Sequence, residues 1–174
     1  HFVSRLAFDI EGLGDKIIRA FWEEEWIRTP ADIFRLSKHA AKLKEREGWG
    51  ELSVKNLFGA IEARRAIGLD RFIYALGIRQ VGQATAKKLA QNYESLRHFL
   101  TQMKEAKDRE SAAYQTLLGI EDVGPAVAED IVEFFAEPHN RDVVKDLQQE
   151  LTVKDFERPK TIASPVTGKT VVFT

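Results

Sequence analysis

The residues in this sequence whose types and spacing suit chemistry are four short turns, each ending on glycine. They are Ile10-Glu11-Gly12-Leu13-Gly14, Arg46-Glu47-Gly48-Trp49-Gly50, Ile78-Arg79-Gln80-Val81-Gly82 and Ile120-Glu121-Asp122-Val123-Gly124. In each, an apolar residue precedes the last glycine, and an amphipathic stretch follows it directly. Glycine permits positive φ and lets bare backbone approach a ligand. A helix that starts right after such a turn presents unpaired amide N–H groups and the positive end of its dipole. The chemistry this suits is anion binding, with nucleic-acid phosphate as the natural anion. Amides recognise phosphate without reading bases, so binding is expected to be sequence-independent and salt-sensitive.

The four turns are not equal. The first two keep both glycines, Gly12/Gly14 and Gly48/Gly50, whereas Gln80 and Asp122 replace the first glycine in the other two. Lys16 follows the first turn; Lys55, Arg64 and Arg65 follow the second; Arg79, Lys87 and Lys88 surround the third. The fourth is crowded by Glu121, Asp122, Glu129 and Asp130, and Pro125 removes the amide donor just after Gly124. The second and third turns are therefore expected to carry most of the phosphate contact, with the fourth as scaffold. Reversing Lys87 and Lys88 to glutamate should weaken duplex binding and flatten its salt dependence.

Other candidates read as structure. His1, His39, His98 and His139 are scattered with no second ligand at metal spacing. Glu23-Glu24-Glu25 falls on a helix, where consecutive residues point in different directions. Trp22 and Trp49 occupy positions that the repeat assigns to the core, so packing is expected of them rather than base stacking. No catalytic residue and no metal site is assigned.

The elements that must position these turns are helices. Apolar residues recur every three or four positions along most of the chain, as in Ile17, Ile18, Phe21 and Trp22 or Val127, Ile131, Val132 and Phe135. Thr29-Pro30 is a helix start of threonine cap and proline at the first position. Four residues past each final glycine stand Ile18, Val54, Ala86 and Ala128; seven past stand Phe21, Leu57, Leu89 and Ile131. The final glycines lie 36, 32 and 42 residues apart, too irregular for a stacked solenoid. The expected fold is all-α: four helix–hairpin–helix units in two pairs over residues 1–151, nearly all helical. A linker over 152–167, with Pro159 and Pro165, leads to a β-branched strand at 168–174. A single strand cannot stand alone, so it is expected to open a further domain. The histidine at the start and the apolar run at the end both read as interior to a longer protein.

Composition bounds the function. Of 174 residues, 44% are apolar, enough for a packed core, and no apolar run approaches the length of a membrane span. Cysteine is absent, which excludes disulfides, thiolate metal sites and cysteine nucleophiles and suits a reducing cytoplasm. The net charge of −1 argues against a strong nucleic-acid polyelectrolyte, but its distribution says more: residues 42–104 carry 12 Lys/Arg against 6 Asp/Glu, and 105–157 carry 5 against 14. One face can approach phosphate and another cannot.

The turns resemble the helix–hairpin–helix motif, a non-specific DNA-binding element. Three stretches resemble something narrower. Phe8-Asp9-Ile10-Glu11-Gly12-Leu13-Gly14-Asp15-Lys16, Gly48-Trp49-Gly50-Glu51-Leu52-Ser53-Val54-Lys55-Asn56-Leu57 and Arg71-Phe72-Ile73-Tyr74-Ala75-Leu76-Gly77-Ile78-Arg79-Gln80-Val81-Gly82 are similar to bacterial NAD-dependent DNA ligases, in the segment after the zinc finger. Gly168-Lys169-Thr170-Val171-Val172-Phe173-Thr174 looks like the first strand of the BRCT domain that ends those enzymes. The resemblance implies a module that grips the minor groove of nicked double-stranded DNA, as a monomer in the bacterial cytoplasm. It implies NAD, a divalent metal and zinc for the parent enzyme, none of them held here, so this chain should not ligate alone. Two other readings stay open: a helix–hairpin–helix module of another repair protein, such as a nuclease subunit or junction binder, and a structural spacer whose turns merely pack.

Overall fold

A computed structural model of the chain describes residues 8–46 and 48–157. The strand expected at 168–174 and most of the expected linker lie outside the described residues. Among those described, nine α-helices dominate. They are α1 (Asp15–Glu23), α2 (Ala40–Lys44), α3 (Glu51–Ala63), α4 (Leu69–Ala75), α5 (Gln83–Tyr93), α6 (Leu96–Glu105), α7 (Ala112–Leu118), α8 (Pro125–Ala136) and α9 (Pro138–Glu150). A 3₁₀ helix, Pro30–His39, precedes α2. Its start is the one that Thr29-Pro30 announces: the Asp32 carboxylate accepts from the Thr29 and Arg28 amides at 3.2 and 3.0 Å.

The helices form because their apolar residues sit on one face, and the core confirms which face. Phe21, Leu57, Leu89 and Ile131, the residues seven past each final glycine, are all buried, as are Val54, Ala86 and Ala128 at the fourth position. Ile18, at the equivalent place in α1, is half-buried. Around them pack Phe8, Phe72, Phe99, Met103, Leu117 and Leu147. Trp22 does not join them. Expected in the core, it is 60% exposed. Its neighbour Phe21 takes the core position of α1, and successive helical residues are turned about 100° apart.

The chain is not all helix up to residue 151. Ala66–Gly68 (β1) and Thr152–Lys154 (β2) pair as parallel strands, with Ala66 opposite Thr152 and Gly68 opposite Lys154. The first three residues of the expected linker are thus tied into the domain. The Phe156 amide also donates to the Glu94 carbonyl at 2.7 Å. Strands of three residues carry no readable alternation, and the partner stands 86 residues away.

Charged side chains tie the two ends of the domain together. Arg35 donates to Asp146 at 2.5 Å, to Glu150 at 3.0 Å and to Asp32 at 3.3 Å. Arg65 donates to the same Glu150 at 3.1 Å, to the Phe34 carbonyl and to Glu62. The 3₁₀ helix, the end of α3 and the last turns of α9 are thereby held as one unit.

One buried group is left over. The Tyr93 hydroxyl has no hydrogen-bond partner among the described residues, and burial pushes its pKa up to about 12. Its ring is held by Phe99 at 5.3 Å and His98 at 5.7 Å. A buried donor without a partner is costly, so Tyr93→Phe is expected to stabilise the fold by about 1 kcal/mol. Chemical denaturation of both forms measures it; a loss of stability would reveal a partner for the hydroxyl.

Candidate nucleic-acid interface

The four turns share one backbone. The third residue of each has positive φ: Gly12 at +87°, Gly48 at +84°, Gln80 at +65° and Asp122 at +71°. The fourth residue donates its amide to the carbonyl of the first, at 3.3 Å for Leu13→Ile10 and 3.0 Å for Trp49→Arg46, Val81→Ile78 and Val123→Ile120. These are tight turns with the left-handed residue at their third position. Leu13, Val81 and Val123 then plug the turn into the core, while Trp49 is half-buried.

The fifth residue is always glycine, and here the reason differs from the expected one. Gly14, Gly50, Gly82 and Gly124 are extended, with φ between −87° and −121°, so their backbone does not require glycine. A Cβ built on any of the four meets no atom within 4 Å. Nothing inside the fold asks for glycine at these positions. Each is the N-cap of a helix, α1, α3, α5 or α8, and its carbonyl accepts the first helical bond at 2.9–3.0 Å. No side chain caps any of the four. Elsewhere the fold does supply caps. Ser95 accepts from the His98 amide and Ser111 from the Tyr114 amide, both at 3.1 Å, and Glu137 caps α9. The turn helices leave their first amides without a side-chain cap, on a surface kept bare; α2 and α4 lack a side-chain cap too, but a Cβ at the α4 cap, Gly68, would meet the Asp70 carboxylate at 3.0 Å.

The turns associate in twos. The first and second border a hollow of about 410 Å³ lined by Glu11, Gly12, Gly48, Trp49, Asn56 and Leu57. The third and fourth clasp each other reciprocally. Gln80 of the third donates to Asp130 on α8, and Lys88 on α5 contacts Glu121 of the fourth at 3.0 Å.

The expected cations divide into two groups. Lys16, Lys55, Arg79 and Lys87 are exposed, and none has an ion pair among the described residues. The other three are engaged by the protein. Arg64 holds the Asp9 carbonyl and carboxylate at 3.3 Å, Arg65 belongs to the charge network described above, and Lys88 is paired with Glu121. Register adds a residue that the sequence reading missed. Five places past each final glycine stand Arg19, Lys55, Lys87 and Glu129. Arg19 is exposed on α1 as Lys55 is on α3 and Lys87 on α5. The alignment of the turns already contained this signal. The fourth turn carries an acid there instead. Hydrogen bonds from Arg109 at 2.9 Å and from the Tyr114 hydroxyl at 2.7 Å hold the Glu129 carboxyl down at about 2.

Residues 71–144, which contain the third and fourth turns, match the family model described as the helix-hairpin-helix motif. The whole chain is 56% identical to a stretch of a DNA ligase of Parvibaculum lavamentivorans, covering 25% of that protein. Its sequence fits a segment of a bacterial DNA ligase. The DNA ligase of Phenylobacterium zucineum is 52% identical over 174 residues and that of Rhodospirillum rubrum 53% over 182, each along all of this chain. The chain spans about a quarter of the length of these relatives. Among the described residues no helix is long and apolar enough to cross a membrane, and no group of three or more His, Asp or Glu is placed to hold a metal ion.

Proposed function

We propose that this chain is the duplex-gripping module of a bacterial NAD-dependent DNA ligase, built from four helix–hairpin–helix motifs in two pairs. The observation that carries this reading is the contrast in capping. Four helices start from glycines with open space around them and no side-chain cap, whereas α6, α7 and α9 are closed by serine or glutamate and the uncapped Gly68 of α4 is crowded by Asp70. A phosphate oxygen is the ligand such an end accepts, and a sugar–phosphate backbone supplies phosphates in series. Three turns add a cation one turn into the helix, where it faces the same anion: Arg19, Lys55 and Lys87. The fourth serves as scaffold, since Pro125 brings no N–H and Glu129 is locked by Arg109.

In this reading the module lies along the minor groove on either side of a nick and works in replication and repair, in the bacterial cytoplasm, as a monomer. NAD and the divalent metal act in other parts of the parent enzyme. So does zinc, for which a cysteine-free chain offers no thiolate.

The test is a titration of nicked, intact and sequence-scrambled duplexes at several salt concentrations. Sequence-blind binding that weakens with salt is expected; absence of binding would favour a spacer whose turns only pack. Glu121→Gln sharpens the test, because Glu121 competes with DNA for Lys88. Freeing one cation should tighten binding severalfold at low salt and steepen the salt slope by up to about 0.9.

A further inference from the structure

At the far end of α8 from its glycine turn lies a second surface of different character. Phe135 is eleven residues beyond Gly124, about 16 Å along the helix at the usual rise. With Leu100 of α6 and Val144 of α9 it makes the apolar floor of a groove of about 280 Å³. Lys104, Lys107 and Arg141 stand on its rim. All three are exposed, and none is paired with a carboxylate among the described residues.

The charge here runs against its surroundings. Residues 105–157 hold only 5 cations among 14 acids, yet two of those five, Lys107 and Arg141, converge on this groove with Lys104. Of the other three cations in that stretch, Arg109 is spent on Glu129, and Lys145 and Lys154 stand outside the groove. Three unneutralised cations around an apolar floor complement a ligand that brings carboxylates and one or two large apolar side chains together.

We propose that this groove docks an acidic peptide segment of a partner protein, its aromatic or leucine side chain on the Phe135–Val144 floor and its carboxylates on Lys104, Lys107 and Arg141. The three cations set the sign of the partner's charge, and the apolar floor requires a bulky side chain between the acids. The groove lies a helix length from the fourth turn and none of the four turns lines it, so partner and duplex are expected to bind together. This inference does not depend on the fourth turn touching DNA.

The probe is a fluorescein-labelled peptide, Glu-Asp-Leu-Phe-Asp-Leu-Glu, titrated with the whole chain by anisotropy. Saturable binding is expected. It should weaken more than tenfold when the leucines and phenylalanine become serine, and equally when Arg141→Glu and Lys104→Glu are combined. Both changes are on exposed side chains, and circular dichroism confirms that the variant keeps its fold. Saturating duplex should leave the peptide bound. The proposal is overturned if the serine peptide binds as well, if the charge-reversed protein binds undiminished, or if no binding occurs. It is equally overturned if duplex displaces the peptide and the same reversals weaken duplex binding, which would make the groove a phosphate contact. That last result would leave the reading of the turns intact, and loss of duplex binding through the turns would leave the peptide site intact.

Discussion

The chain carrying Gly82→Asp is expected to melt at or above the temperature of the unchanged protein while binding duplex DNA roughly 10- to 100-fold more weakly. The stability half follows from geometry. Gly82 is extended, at φ −88°, and a Cβ there meets nothing within 4 Å. Aspartate is among the best N-cap residues and its charge suits the helix dipole. The binding half follows from the same substitution. Its carboxylate takes the amides that a phosphate would use and places negative charge beside them. Losing one charge-assisted hydrogen bond, about 1.5–3 kcal/mol, sets the size of the effect. Gly50→Asp should behave alike, and the two together should multiply, because the turns lie on separate helices. Gly124→Asp is the internal comparison. It brings the same carboxylate to a turn that Pro125 and Glu129 have already made a poor anion site, so affinity should barely change. Anisotropy titrations beside thermal melts decide it. If Gly124→Asp is as damaging as Gly82→Asp, the ranking of the turns fails. If none of the three weakens binding, the interface lies elsewhere.

The second large effect is on stability. Arg35→Ala is expected to cost about 2 kcal/mol, a fall in melting temperature of roughly 4–8 °C for a domain of this size. Arg35 is only 25% exposed and bridges Asp32, Asp146 and Glu150. Its removal leaves two carboxylates of α9 without their main partner. Partial solvent access keeps the cost below that of a fully buried pair. The hydrogen bonds it donates to Asp146 hold the Arg35 guanidinium firmly protonated, so only the carboxylates report pH. Burial alone would push the Glu150 carboxyl up, but Arg35 and Arg65 outweigh it and hold it below its usual value of 4.5. Asp32 behaves the same way, with the Arg28 and Thr29 amides and Arg35 outweighing burial. A carboxylate whose folded pKa is depressed stabilises fully above its unfolded pKa and loses that contribution as pH falls through the folded value. The difference between Arg35→Ala and the unchanged chain should therefore be constant from pH 7 to about 5 and shrink below about 4. Thermal melts across that range measure it. A difference that grows on acidification would assign the stability to something other than these ion pairs.

Much of the site was legible in the chain because it is local. A turn of five residues, a cap and the helix after it depend on neighbours in sequence. Alignment of the four windows therefore located the turns and the residues that face the core, Phe21, Leu57, Leu89 and Ile131. The same alignment held Arg19 in register with Lys55 and Lys87. Expectations failed where the deciding partner was distant. Trp22 fits the apolar stripe of α1, but the position that contacts the core belongs to Phe21. Arg65 reads as a free cation until the fold brings Glu150 beside it from the other end of the domain.

What the sequence by itself determined was the helical class, the four matched turns and the division between basic and acidic stretches, because each rests on periodicity, local backbone or charge. Only the tertiary structure decided which cations remain available, which turns pair, that nothing inside the fold asks for the final glycines and that residues 66–68 and 152–154 form a sheet. Those outcomes depend on contacts between residues tens of positions apart. Their free energy is gained only once the chain has folded, and no window of neighbouring residues records it.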